Sequence, residues 1–168
     1  MKKTKKLVFS AILSALAVVF MYIGALFDVL DLSVAALASM CVALVLVELG
    51  ARWAFLVYAV ASVLSFLLLP VKTPAILFCG FLGFYPIAKS VFERRLHGAL
   101  QWLVKLILLN VCVGVMLLVL RLFAVSTAWF EALTLALSNF VFIVYDIALS
   151  RLLRAYVFAW RKKLKISF

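Results

Sequence analysis

Acid is scarce in this chain. Its 168 residues hold six Asp and Glu against 17 Lys and Arg, with a single histidine. Glycine (6), proline (3) and cysteine (3) are few as well. Each shortage excludes chemistry. No HExxH, GxSxG or CxxC pattern occurs, and no GxxxxGKS/T phosphate loop. The sequence marks of zinc hydrolases, serine hydrolases, dithiol redox enzymes and nucleotide hydrolysis are therefore missing. A membrane hydrolase or lipid transferase needs a nucleophile beside a base, or acidic side chains around a metal. Here the lone His97 stands in a basic connecting stretch, and Asp146 is the only carboxylate well inside an apolar run. Cys41, Cys79 and Cys112 all fall within apolar runs at no ligand spacing, which fits small packing residues. The expectation is a protein that is not an enzyme and holds no metal and no cofactor.

What the chain has in excess is apolar side chain. Hydrophobic residues make up 70% of it while the net charge is +11, and the mean hydropathy is +1.31. Soluble domains are roughly half apolar, so this chain lacks the polar surface to cover a water-facing globule. A helix crossing a bilayer needs about 20 mostly apolar residues. Six runs qualify, at residues 7–27, 32–49, 53–69, 75–91, 99–123 and 132–149. They use most of the chain and leave no room for an aqueous domain. The fold class expected is all-α: one integral membrane domain, residues 1–168, built as a bundle of six transmembrane helices.

Charge orients the bundle. Lys2, Lys3, Lys5 and Lys6 precede the first run, and Arg52 separates the second from the third. Lys89, Arg94, Arg95 and Lys105 surround the fourth junction, and Arg151, Arg154, Arg161, Lys162, Lys163 and Lys165 end the chain. With six crossings all of these fall on one side, and only Lys72 and Arg121 fall on the other. Basic residues collect on the cytoplasmic side, so both termini are expected there, in a multi-pass protein of the cytoplasmic membrane. Trp53, Trp102 and Trp160 fall at the same ends, where amphipathic rings settle. The basic clusters have no aromatic-studded polar scaffold around them, so they are read as topology with attraction to anionic lipid headgroups, not as a nucleic-acid surface. Lys2–Lys6 followed by Ala15-Leu-Ala17 resembles a signal peptide, but the apolar run continues to Phe27, past the usual 7–15 residue core. The first helix is expected to stay.

Several polar residues lie inside the runs. On the first, Ser10, Ala11, Ser14 and Ala15 share one face by three- and four-residue spacing, and small side chains let a second helix approach closely. Gly50 between Glu48 and Arg52 suggests a helix end. The fourth run holds Gly80, Gly83 and Pro86; the proline is expected to kink it and free the carbonyl of Leu82. Depth counting places Asn110 and Asn139 at one level, and Asp146, Lys105 and Lys89 at another. An unpaired charge at such depth costs at least a few kcal/mol. Asp146 is therefore expected to pair with Lys105 or Lys89, unless both lysines reach out to the interface.

About 170 residues, six spans, both termini inside and short loops resemble the substrate-binding S-component of energy-coupling factor (ECF) transporters. Ser10-Ala11-Ile-Leu-Ser-Ala15 is similar to the AxxxA motif on the first helix of that family, and Gly83-Phe-Tyr-Pro-Ile-Ala-Lys89 looks like a segment of S-component-like bacterial proteins. The resemblance implies that Ala11 and Ala15 contact a transmembrane T-component driven by a pair of ABC-type ATPases, in a bacterial cell membrane. It implies a small-molecule substrate of vitamin-like size in an outward-opening cavity built from spans four to six and the first outer loop. By depth, Asn110, Asn139 and Tyr85 are the pocket candidates, with Asp28 and Asp31 approaching from the loop. An alternative of another class is a scaffolding membrane protein of a cell-envelope complex, which needs a lateral surface and no cavity.

Overall fold

The computed structural model describes residues 3–27, 30–95, 99–123 and 128–160. Within them every regular element is helical. The helices are α1 (Lys3–Ala25), α2 (Asp31–Leu49), α3 (Ala51–Leu68), α4 (Thr73–Leu77), α5 (Tyr85–Arg95), α6 (Ala99–Phe123) and α7 (Ala128–Ala155). Wider π turns occupy Phe78–Leu82, between α4 and α5, and Tyr156–Trp160 after α7. Six helical segments are long and apolar enough to cross a membrane, with Thr73–Arg95 counted as one. By length and composition this is a multi-pass membrane protein. Asp28, His97, Lys2 and the basic residues beyond Trp160 lie outside the described residues.

The chain divides into two compact units, residues 1–90 with 155–168, and residues 91–154. In the first, α2 packs against α1, α3, α4 and the π turn that follows α4. Its buried positions, among them Ala35, Ala38, Cys41, Val42 and Val45, ring most of the helix. By contrast α1 and α3 each bury one stripe: Ser10, Ser14, Ala17, Met21 and Gly24 on α1, and Ala54, Val57, Ala61 and Ser65 on α3. These stripes follow helical spacing and are dominated by small residues. Lipid removes the hydrophobic drive between helices, so association depends on close van der Waals packing. Gly24 is close-packed, since a β-carbon there would overlap the side chain of Val34 on α2.

Local chemistry sets the turns. Gly50, alone between α2 and α3, has φ +91°, a conformation costly for residues with a β-carbon. Leu69, ahead of Pro70, is extended, as the proline ring demands of its predecessor. Lys72 Nζ donates to the carbonyls of Phe66 and Leu69, both at 2.6 Å, so this lysine caps the end of α3. Pro74 stands in the first turn of α4, where its missing N–H costs nothing.

The fourth apolar segment departs from the expected proline kink. The widening occurs ahead of Pro86, at Phe78–Leu82, where Gly83 N donates to Phe78 O at 2.7 Å across five residues. Tyr58 on α3 donates its hydroxyl to the Cys79 carbonyl at 2.8 Å. Gly83 is close-packed: an added β-carbon would stand 2.7 Å from Tyr58 Cδ2 and 2.8 Å from Phe78 O. Pro86 sits in the first turn of α5, where a proline is tolerated. The rings of Phe78, Phe81, Phe84 and Tyr85 then form a chain of tilted and edge-on contacts with Tyr58, at centroid distances of 5.2–6.3 Å.

In the second unit α6 and α7 run antiparallel, because their side-chain partners rise in number along one helix and fall along the other. Leu109, Leu117, Phe142 and Leu149 are buried. Leu103, Ile107, Val111, Val115, Leu137, Phe140 and Val144 are exposed, as side chains facing lipid would be.

Candidate functional site

Lys105 is the centre of the charge in the second unit. Its ammonium lies 2.9 Å from Glu93 Oε1, and 3.2 and 3.4 Å from the two carboxylate oxygens of Asp146. It also stands 5.4 Å from the centre of the Trp102 ring, a favourable place for a cation. Lys105 is 2% exposed and Asp146 3%, whereas the Glu93 side chain is 43% exposed. Lys105 thus bridges a buried carboxylate and one at the rim. Losing Lys105 would take the ammonium from a buried carboxylate, a change that costs up to about 3–5 kcal/mol, whereas losing Asp146 leaves Lys105 its ion pair with Glu93. Lys89, the other lysine offered as a partner for Asp146, belongs to the first unit and is likewise buried. Glu93 is the member that depth counting missed. It and Lys105 stand at equal sequence distance from Ala99, and a short connection returns such residues to one level.

Asn110 and Asn139 meet between α6 and α7. Each amide donates to the other's carbonyl oxygen, at 3.1 and 3.0 Å. Each spends its second N–H on a backbone carbonyl of its own helix, Leu106 O and Leu135 O. Both N–H groups of both residues are therefore used, and a solute reaching them would find acceptor oxygen only. Tyr85, the third pocket candidate, belongs to the first unit, where it is fully buried with its ring 5.2 Å from Phe81. Asp31 occupies the first turn of α2, the end of a helix dipole that favours an acid. Asp28 lies outside the described residues. Among the described residues no group of His, Cys, Asp and Glu could hold a metal.

The small-residue face of α1 splits in two. Ser10 and Ser14 are buried, while Ala11 and Ala15 are exposed. A groove of about 240 Å³ runs between α1 and α3, walled by Leu7, Ser10, Ala11 and Ser14 on one side and by Trp53, Leu56, Val57 and Val60 on the other. At its basic end it meets an open hollow of about 710 Å³ bounded by Lys3, Thr4, Lys6, Leu7 and Trp53. Ser14 Oγ donates to the Ala11 carbonyl at 2.9 Å, as most buried helical serines here do to their own helix. Ser10 is 7% exposed and its hydroxyl has no hydrogen-bond partner. An unsatisfied buried hydroxyl costs about 1–3 kcal/mol, and Ser62 on α3 is in the same state.

Compared with protein-family models, curated proteins and solved structures, the chain finds no match.

Proposed function

We propose that this chain is the membrane-embedded substrate-binding subunit of an uptake system for a small, vitamin-like solute, energised by partner ATPases in the manner of ECF S-components. Both termini would face the cytoplasm of a bacterial cell, as the distribution of Lys and Arg favours. The observation that carries the proposal is the outward presentation of Ala11 and Ala15 on α1. Small residues on an exposed helix face offer a second helix close approach. The chain itself carries no phosphate-binding loop, so energy must come from elsewhere.

The test is recovery of tagged protein from native membranes in gentle detergent, with partners identified by mass spectrometry. Two ABC-type ATPases and a T-type membrane subunit, lost on Ala11→Leu with Ala15→Leu, are the expected result. Envelope or cytoskeletal proteins without an ATPase would overturn it in favour of a scaffold. One observation favours that second reading: Asn110 and Asn139 spend their donors on each other and on their own helices, as a packed bundle would have them do.

A further inference from the structure

We infer that the groove between α1 and α3 is a binding site for one anionic phospholipid of the inner leaflet, with its headgroup at Lys3 and Lys6 and one acyl chain laid along the groove. The inference rests on the membrane orientation proposed above but not on transport. Its first support is continuity. The basic hollow and the apolar groove share Leu7 and Trp53, so a polar mouth opens directly into an apolar channel, which is the shape of a lipid and not of a soluble anion.

The second support is the order of side chains along α1. Lys3, Lys6, Leu7, Ser10 and Ser14 recur at three- and four-residue intervals and so line one face. Down that face the chemistry passes from ammonium to two serine hydroxyls, of which Ser14 is already bonded to its own helix. Lysines near the membrane surface attract anionic headgroups. From Leu7 to Ser14 the groove runs about 10 Å, against about 15 Å of hydrocarbon in one leaflet. Trp53 walls both compartments, at the depth where indole rings prefer to lie.

The third support is Ser10. Ser10 lines the groove and is more than nine-tenths buried; its hydroxyl has no partner in the protein and almost no exposed surface, so it reaches a ligand in the groove by rotating about its Cα–Cβ bond. It lies one turn below Lys6 on the same face. A phosphate held by Lys3 and Lys6 would bring the glycerol esters to that depth, and an ester carbonyl accepts the hydrogen bond that Ser10 has to give. Ala11 lines the same groove, so a helix docking there would have to displace the lipid, whereas Ala15 lies outside it.

The test uses the full chain in detergent micelles, titrated with phosphatidylglycerol or phosphatidylcholine and read by native mass spectrometry. A one-to-one phosphatidylglycerol adduct is expected at about tenfold lower lipid concentration than the phosphatidylcholine adduct. Lys3→Glu with Lys6→Glu should abolish that preference. Lys5→Glu, which changes charge on a different face of α1 beside Val8, Phe9 and Ile12, should leave it intact. Ser10→Leu should fill the groove and lose the tight adduct for both lipids. Ser10→Ala, a smaller change that keeps the fold, should weaken binding several-fold without altering the headgroup preference. Soluble glycerol phosphate should not displace the lipid at equal concentration. Equal binding of the two lipids, equal effects of reversing Lys5 and Lys6, unchanged binding in Ser10→Leu, or displacement by glycerol phosphate would each overturn the proposal. Because the readout is lipid on the isolated chain, it is independent of whether ATPases co-purify.

Discussion

Asn110 and Asn139 form a reciprocal amide pair, each donating to the other's carbonyl at 3.1 and 3.0 Å while its second N–H holds a carbonyl of its own helix. The pair joins α6 to α7 with every donor used. Interhelical hydrogen bonds in membranes average about 0.6 kcal/mol, up to about 1.7.

Replacing one asparagine leaves the other amide half-satisfied. Asn110→Leu or Asn139→Leu should therefore lower thermal stability in detergent by about 1–2 kcal/mol. The double replacement should cost less than the two singles added together. Strict additivity in a double-mutant cycle would show that the amides do not depend on each other.

The buried ion pair makes a larger prediction. Lys105→Met, which takes the ammonium from buried Asp146, should cost up to about 3–5 kcal/mol and deplete the protein in membranes, whereas Asp146→Asn should cost less, because Lys105 keeps its ion pair with Glu93. Lys105→Met with Asp146→Leu should recover much of the loss. Glu93→Gln, at the exposed rim, should cost under about 1 kcal/mol. Quantitative immunoblotting of membrane fractions gives the order. An equal effect of Glu93→Gln and Lys105→Met would contradict the geometry.

Three glycines should respond to alanine for different reasons. At Gly50 nothing stands near an added β-carbon, so the cost is backbone alone, about 1–3 kcal/mol, and Asn should fare no better than Ala, because φ +91° with ψ 175° is a region that glycine alone adopts readily. At Gly24 the obstacle is the Val34 side chain, and Val34→Ala should rescue Gly24→Ala. At Gly83 both Tyr58 and the Phe78 carbonyl are in the way, which predicts a loss of about 1–3 kcal/mol. Melting temperatures of the single and paired variants distinguish the three causes.

Tyr58→Phe should remove the hydrogen bond to the Cys79 carbonyl and the weaker contact with Cys79 Sγ, while keeping the ring contacts with Phe78 and Phe84. A loss of about 1 kcal/mol is expected, with local opening around residues 78–83. Hydrogen exchange should show faster exchange there and little change in α1 and α2. Uniform acceleration across the first unit would mean that Tyr58 supports the whole unit instead of the π turn.

The helices themselves were legible in the chain. The six apolar runs correspond to helices whose ends differ from the expected limits by a few residues, as α2 at Asp31–Leu49 shows. Gly50 marked its turn because a lone glycine between two apolar runs has few other uses. Pro86 misled, because a proline signals a break without saying whether it ends one helix or begins the next. Here it begins α5, and the widening belongs to the residues that Gly83 and Tyr58 hold. Glu93 was hidden for a related reason: its contact depends on how α5 ends and α6 begins.

The sequence by itself determined the solvent and the element type. Transfer of an apolar run into hydrocarbon is a sum over residues and needs no knowledge of partners. Tertiary structure alone decided which polar groups meet. One residue of a helix is about 100° of rotation, so whether Lys105 meets Asp146, whether Asn110 meets Asn139, and whether Ser10 or Ala11 turns inward depends on the rotation and register of whole helices. Those are set by the packing of many small residues at once, and no single spacing encodes them.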